Sequence, residues 1–270
     1  MYCTNCGHQV EANDSFCCQC GHALSSPETG ASLGGAWRSF PVPWRGGQVA
    51  LGILLILASV FPVAGLAIGL GKLAGRLEVA VGAWESSHLM GFAILIVVWY
   101  LGLRPYRVTL SSLGLTLPTA SRVKCILLTA GVLVASLLAT LGYSGLVNLA
   151  GLEILLPPEI PADIVFPGPL AVFTYQALAL WTPFTEEIFF RGFVFAGLVP
   201  RFGLKWAMIV SALIFSAFHL LSFAIGLIVP IFITGLLLAW LYSKTGSLWT
   251  SIAAHAGQNT VAIVVTSVWG

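Results

Sequence analysis

"GPLAVFTYQALALWTPFTEEIFFRGFVFAGLV", Gly168 to Val199, sets the problem that the rest of the chain answers. Both ends of the stretch are apolar. Glu186, Glu187 and Arg191 stand together near its middle. A helix apolar on every face has no water-compatible side, and about 20 such residues suffice to cross a bilayer. The stretch therefore reads as a membrane span that carries three ionisable groups. Such groups are costly inside a membrane, so a functional role is the first hypothesis.

The remainder of the chain has the same character. Its 270 residues have a mean hydropathy of +0.95, and only 8% of them are charged. A soluble domain carries about 25%. Charge-free runs recur at Val49–Gly71, Cys125–Leu152, Ile164–Thr185, Trp206–Ser243 and Thr245–Gly270, and Ser86–Leu103 adds another. Trp206–Ser243 is too long for one span and has a weak break near Leu221–Gly226. The expected fold is an all-α polytopic membrane protein of about seven helices, each near span length. They are placed at 49–71, 81–103, 124–148, 170–199, 205–221, 224–243 and 247–268. Residues 1–22 are polar, so the first apolar run is expected to act as an uncleaved anchor.

Net charge is +2, and its distribution says more than its size. With the N-terminus in the cytoplasm, Arg38, Arg45, Arg104, Arg107, Arg122, Lys124, Arg201, Lys205 and Lys244 fall inside. Lys72 and Arg76 fall outside, and Gly151–Pro169 has acidic residues but no Lys or Arg. This is the asymmetry of the positive-inside rule. It predicts an inner N-terminus and an outer C-terminus in a cytoplasmic membrane.

The chain opens "MYCTNCGHQVEANDSFCCQCGHAL". Cys3-x-x-Cys6-Gly7 and Cys17-x-x-Cys20-Gly21 form a short repeat. Two such turns bring four thiolates into the tetrahedron of structural zinc. Residues 1–24 thus resemble the zinc-ribbon heads of bacterial membrane proteins, with Cys3, Cys6, Cys17 and Cys20 as expected ligands. Disulfides are the competing reading, disfavoured by a reducing cytoplasm. Cys18 is a spare, and His8 and His22 are expected at the surface. Cys125 reads as a small apolar residue. So small a head folds on its metal and is expected to be structural or to bind a protein partner. Residues 25–47, rich in Ser, Gly and Pro, read as a flexible linker. Its Trp37, Phe40 and Trp44 are expected at the membrane interface. Residues 48–270 form the membrane domain.

Few polar groups with chemical reach lie inside the spans: Glu186, Glu187, Arg191, His219, His255 and Asn259. Glu187 and Arg191 are one helical turn apart, and a purely structural ion pair would explain them. Glu186 points elsewhere around the helix. Glu186 and His219 each lie roughly 20 Å along their helices from the Pro200–Leu204 turn, at about 1.5 Å per residue. His255 and Asn259 share one face of the last helix. A carboxylate beside an imidazole can deprotonate a water. A second imidazole with an amide can stabilise an oxyanion. These are the parts of a peptide hydrolase, and no convincing Ser or Cys nucleophile accompanies them. Glu85 and His88 sit near another helix end; a second polar site is one reading, and an interfacial helix start with snorkelling polar groups is the favoured one.

At this point three motifs resemble one family. "EEIFFR" (Glu186–Arg191), "FSAFH" (Phe215–His219) and "HAGQN" (His255–Asn259) resemble, in order, the three motifs of the CAAX protease and bacteriocin-processing family. They span roughly residues 165–270. The resemblance implies an intramembrane endopeptidase acting on a membrane-associated or lipidated protein. It implies Glu186 as general base, His219 as a holder of the attacking water, His255 and Asn259 as oxyanion donors, and Glu187 and Arg191 as positioning groups. The family is labelled metalloendopeptidase, and Glu186, His219 and His255 offer a possible intramembrane metal set. The charge balance favours a Glu-activated water, so a catalytic metal stays open. The alternatives are a scaffold or sensor with a merely binding pocket, and a transporter. Internal repeats, common in transporters, are not visible. No nucleic-acid partner is expected.

Overall fold

The computed structural model describes residues 42–118, 120–222 and 225–269, and in the head residues 3, 6, 8–11, 17, 19–21 and 24. Gly7, Cys18, His22, Trp37, Arg38 and Phe40 lie outside the described residues. Among those described, the membrane domain is built of helices joined by turns, with no strand. Helix α1 runs Gly46–Ala74 and α2 Val79–Val98, the latter prolonged by a π-helical turn, Trp99–Leu103. Helix α3 is Arg122–Leu149. It begins where the Ser121 hydroxyl accepts the Lys124 N–H at 3.4 Å, a serine N-cap.

Gly168–Val199 belongs to one helical run of mixed pitch. Helix α4 (Ala171–Thr174) passes into a π-helix, Tyr175–Trp181. Helix α5 (Thr182–Glu187) follows, then a second π-helix, Ile188–Phe195, and α6, Ala196–Phe218. Gly203, at φ 69° and ψ 165°, breaks α6 into two arms. A residue with a β-carbon avoids that backbone region. The second arm folds back on the run before it: Phe190 meets Phe215 at 4.9 Å between ring centroids, and Phe189 meets Phe218 at 6.3 Å. Those pairs lie at matching distances along the chain from Gly203, as Glu186 and His219 do. Short 3₁₀ turns, His219–Ser222 and Ile225–Leu227, lead to α7 (Ile228–Thr245) and α8 (Leu248–Trp269).

Among the described residues, five helical stretches are long and apolar enough to cross a membrane: Gly46–Ala74, Val79–Leu103, Arg122–Leu149, Gly168–Leu221 and Ile225–Thr245. The fourth has 54 residues and contains both arms of the Gly203 hairpin, expected as 170–199 and 205–221. Helix α8 has a span's length, 22 residues, but is not among the five. His255, Gln258 and Asn259 dilute its apolar character. Leucines and phenylalanines on α1 and α3, such as Phe61, Leu73 and Leu141, face outward, as a lipid-bathed bundle requires.

The core is built around the second π-helix. Phe189, Phe193 and Phe195 are fully buried, with Phe215 and Tyr242 beside them. Trp44 belongs to this core too. It is 1% exposed, and its indole N–H donates to the Phe193 carbonyl at 2.9 Å. The expectation of an interfacial Trp44 is corrected accordingly. Its indole nitrogen finds a buried acceptor, so membrane-interface water is not needed.

Candidate active site

Glu187 is wholly buried, with its side chain in the middle of the bundle. Its Oε1 accepts two hydrogen bonds, from Arg191 Nη1 at 2.7 Å and from His255 Nδ1 at 2.9 Å. Arg191, itself 1% exposed, also donates from Nη2 to the Gly235 carbonyl of α7 at 3.3 Å. Its guanidinium carbon sits 4.4 Å from the centroid of the Phe215 ring. Thus the arginine is held by a carboxylate, a carbonyl and an aromatic face. A buried arginine requires that kind of enclosure. Glu187 Oε2 is buried with no hydrogen-bond partner among the described residues.

Glu186 differs from its neighbour. Its side chain retains 21% exposure, and Oε2 lies 3.7 Å from His255 Nε2. That separation is too long for a direct hydrogen bond, but one water can touch both atoms. His255 therefore stands between two carboxylates. Glu187 accepts a hydrogen bond from its Nδ1–H and fixes the ring, leaving Nε2 turned toward Glu186. A carboxylate that orients an imidazole in this way sets which nitrogen carries the proton.

His219 is half-buried at the end of α6, and its Nδ1–H donates to the Phe215 carbonyl at 3.0 Å. Nε2 is then the nitrogen with the lone pair. The Phe215 ring joins the site together: His219 packs edge-on against it at 5.2 Å, His255 at 5.8 Å, and Arg191 lies over its face. Phe215 entered the sequence reading only as a motif letter. Its contacts with three polar groups from three segments were not legible there, nor was the Gly235 carbonyl.

Asn259 adds a second unforeseen contact. Its Nδ2 donates to the Leu178 carbonyl at 2.9 Å. In the first π-helix the Thr182 N–H bonds back to the Ala177 carbonyl. In that register Leu178 would be served by the residue five positions on, which is Pro183 and has no N–H. The Asn259 amide fills the gap with one of its two protons. A second amide proton remains on the same nitrogen.

Glu85 and His88 are not the snorkelling groups expected. His88 Nδ1 donates to the Trp84 carbonyl at 2.7 Å, and its Nε2 accepts from Gln176 Nε2 at 3.1 Å. Trp181 stacks on its ring at 5.5 Å. Glu85 Oε2 is buried without a hydrogen-bond partner among the described residues. This group ties α2 to the first π-helix, on the run that carries Glu186.

In the head, the Sγ atoms of Cys3, Cys6, Cys17 and Cys20 all lie within 4.8 Å of one another. Cys3 and Cys20 are 3.6 Å apart, Cys6 and Cys17 3.5 Å, and none is in a disulfide. A backbone hydrogen bond from His8 favours the Cys6 thiolate. Crowding by the Cys20, Cys17 and Cys3 thiols and desolvation outweigh it, pushing the thiol up to about 12. Four thiols so placed repel each other's thiolates and fit a dication that would relieve the repulsion. His8 is exposed, as expected. Among the described residues this is the one group of three or more candidate ligands so gathered; Glu186, His219 and His255 do not form another. Cys125 is buried, as a small apolar residue would be.

The fold and the site together define a polytopic helical membrane protein with a buried carboxylate–imidazole–guanidinium centre. Residues 168–261 match the family model described as Rce1-like, Type II CAAX prenyl endopeptidase Rce1-like. Over this segment the chain is similar to the CAAX prenyl endopeptidase family. The matched residues contain all six polar groups of the site. No curated protein and no solved structure matches the chain.

Proposed function

We propose that this protein is an intramembrane endopeptidase that cleaves a membrane-associated or lipidated protein with a water activated by Glu186. The observation that carries this reading is the pairing of unequal carboxylates around one imidazole. Glu187 is fully buried and committed to Arg191 and His255. Glu186 is partly exposed and 3.7 Å from His255 Nε2. The first is a positioning group; the second is able to take a proton.

In the proposed step, a water held near Glu186 Oε2 loses a proton to that carboxylate as its oxygen attacks the scissile carbonyl. His219 Nε2, as an acceptor, helps to hold the water. The carbonyl oxygen gains negative charge. His255 and the second N–H of Asn259 stabilise it, the imidazole donating from Nε2 when it carries a proton there. Collapse of the tetrahedral intermediate breaks the C–N bond, and Glu186 returns its proton to the leaving amine. Arg191 stays with Glu187 throughout and keeps His255 aimed.

The head is proposed to hold one structural zinc through Cys3, Cys6, Cys17 and Cys20. The N-terminus is proposed to lie in the cytoplasm and the C-terminus outside, on the Lys/Arg bias. The substrate is best sought in native membranes. Comparative profiling of protein termini should show new C-termini in cells with the active protein, absent with Glu186→Gln. Identical profiles would remove the peptidase reading.

A further inference from the structure

The zinc-ribbon head has a seat on the membrane domain, and the seat leads to the catalytic run. Gly21, the glycine that closes the second Cys-x-x-Cys turn, is buried with φ +70°. Its N–H bonds to the Cys17 carbonyl at 2.9 Å, so its position follows from the metal-binding turn. It lies directly on Tyr106: a β-carbon on Gly21 would collide with the Tyr106 carbonyl oxygen and stand 2.9 Å from Tyr106 Cβ. The Tyr106 hydroxyl in turn accepts a hydrogen bond from Gln48 Nε2 of α1. Gln48 Oε1 accepts the Arg45 N–H at 2.9 Å. One residue earlier is Trp44, whose indole donates to the Phe193 carbonyl. Phe193 lies in the π-helix that begins at Ile188, directly after Glu186 and Glu187, and contains Arg191.

Trp44 is also closely enclosed. A β-carbon on Gly197 would stand 2.8 Å from its Cδ1, and Gly102 faces both Trp44 and the Phe193 ring. The back of the catalytic run is therefore gripped by a corner made of α1, Tyr106 and the head. A π-helix has weaker internal hydrogen bonding than an α-helix and is used in short pieces at functional sites. External contacts of this kind decide whether it holds its pitch.

We infer that the metal-loaded head regulates the intramembrane site. Its seat on Tyr106 keeps the Trp44–Phe193 contact formed, and thereby the aim of Glu187, Arg191 and His255. Loss of metal from the four cysteines unseats the head and loosens residues 188–195. The metal concerned is remote from the reacting atoms. This inference rests on the peptidase reading for its consequence but not for its structural core.

The test uses full-length protein in proteoliposomes, with three readouts: zinc per chain, amide hydrogen exchange of residues 188–195, and cleavage of a membrane peptide. Wild type is compared with a Cys3→Ser/Cys6→Ser double variant and with Trp44→Phe, which leaves the head intact. The double variant should lose zinc, exchange faster at 188–195 and cleave about tenfold more slowly, an ordinary size for coupling between two sites. Trp44→Phe should keep its zinc yet show the same faster exchange and slower cleavage. A zinc-free double variant with unchanged exchange at 188–195 would overturn the inference, whatever its cleavage rate. If wild type cleaves nothing, the peptidase reading fails, while exchange still judges the coupling.

Discussion

At the residue scale, two adjacent glutamates have opposite circumstances. Glu187 accepts from both Arg191 and His255 inside the bundle, and Glu186 keeps a face toward open space. Glu186→Gln should abolish cleavage with the melting temperature unchanged, because an amide cannot take a proton from water. Glu187→Gln should lower the melting temperature and also slow cleavage. It leaves Arg191 buried without a counter-charge, a loss of about 3–5 kcal/mol when a buried pair is broken, and it frees the His255 ring. Thermal unfolding and a cleavage assay on the two variants check this. An active Glu186→Gln beside an inactive, fully stable Glu187→Gln would exchange the roles. The helical spacing of Glu187 and Arg191 was readable in the sequence. The third partner, His255, was not, because a contact between separate helices depends on their packing and not on a repeat.

At the element scale, the segment that carries Glu186, Glu187 and Arg191 is set apart by its pitch. Two π-helices flank α5, and the sequence gives only a local sign of them, Pro183. A missing N–H leaves an acceptor to be satisfied, but not which donor will satisfy it. The structure supplies Asn259. Asn259→Leu should therefore destabilise the protein by about 1–3 kcal/mol, the cost of an unsatisfied buried carbonyl. Adding Pro183→Ala to that variant returns an N–H to Leu178 and should recover the stability. It should not recover cleavage, since the second amide proton of Asn259 is the proposed oxyanion donor. Unfolding and cleavage of the single and double variants separate the two roles. Recovery of both together would make Asn259 a positioning residue alone. The helices themselves were legible from hydropathy, because a lipid environment makes each span apolar all round. Trp44 was misplaced, since a tryptophan beside a span serves an interface or a core equally well by composition.

At the scale of the whole molecule, the same Lys/Arg bias that orders the spans predicts the orientation. In intact cells an impermeant thiol reagent should reach a single cysteine placed at Asp163 and should not reach one at Ser112. The reverse pattern would invert the topology. The four-cysteine head and the polar membrane centre were both legible as motifs, since each depends on short spacings. Their connection through Gly21, Tyr106 and Trp44 was not, because it joins segments far apart in the chain. The central claim is that a Glu186-activated water cuts a peptide bond within the membrane. The most direct measurement is mass spectrometry of a lipidated membrane peptide incubated with purified protein in proteoliposomes. Wild type should give a single pair of fragments that accumulate with time, and equally folded Glu186→Gln should give none. Intact peptide with both proteins, or the same fragments at the same rate with both, would contradict the account.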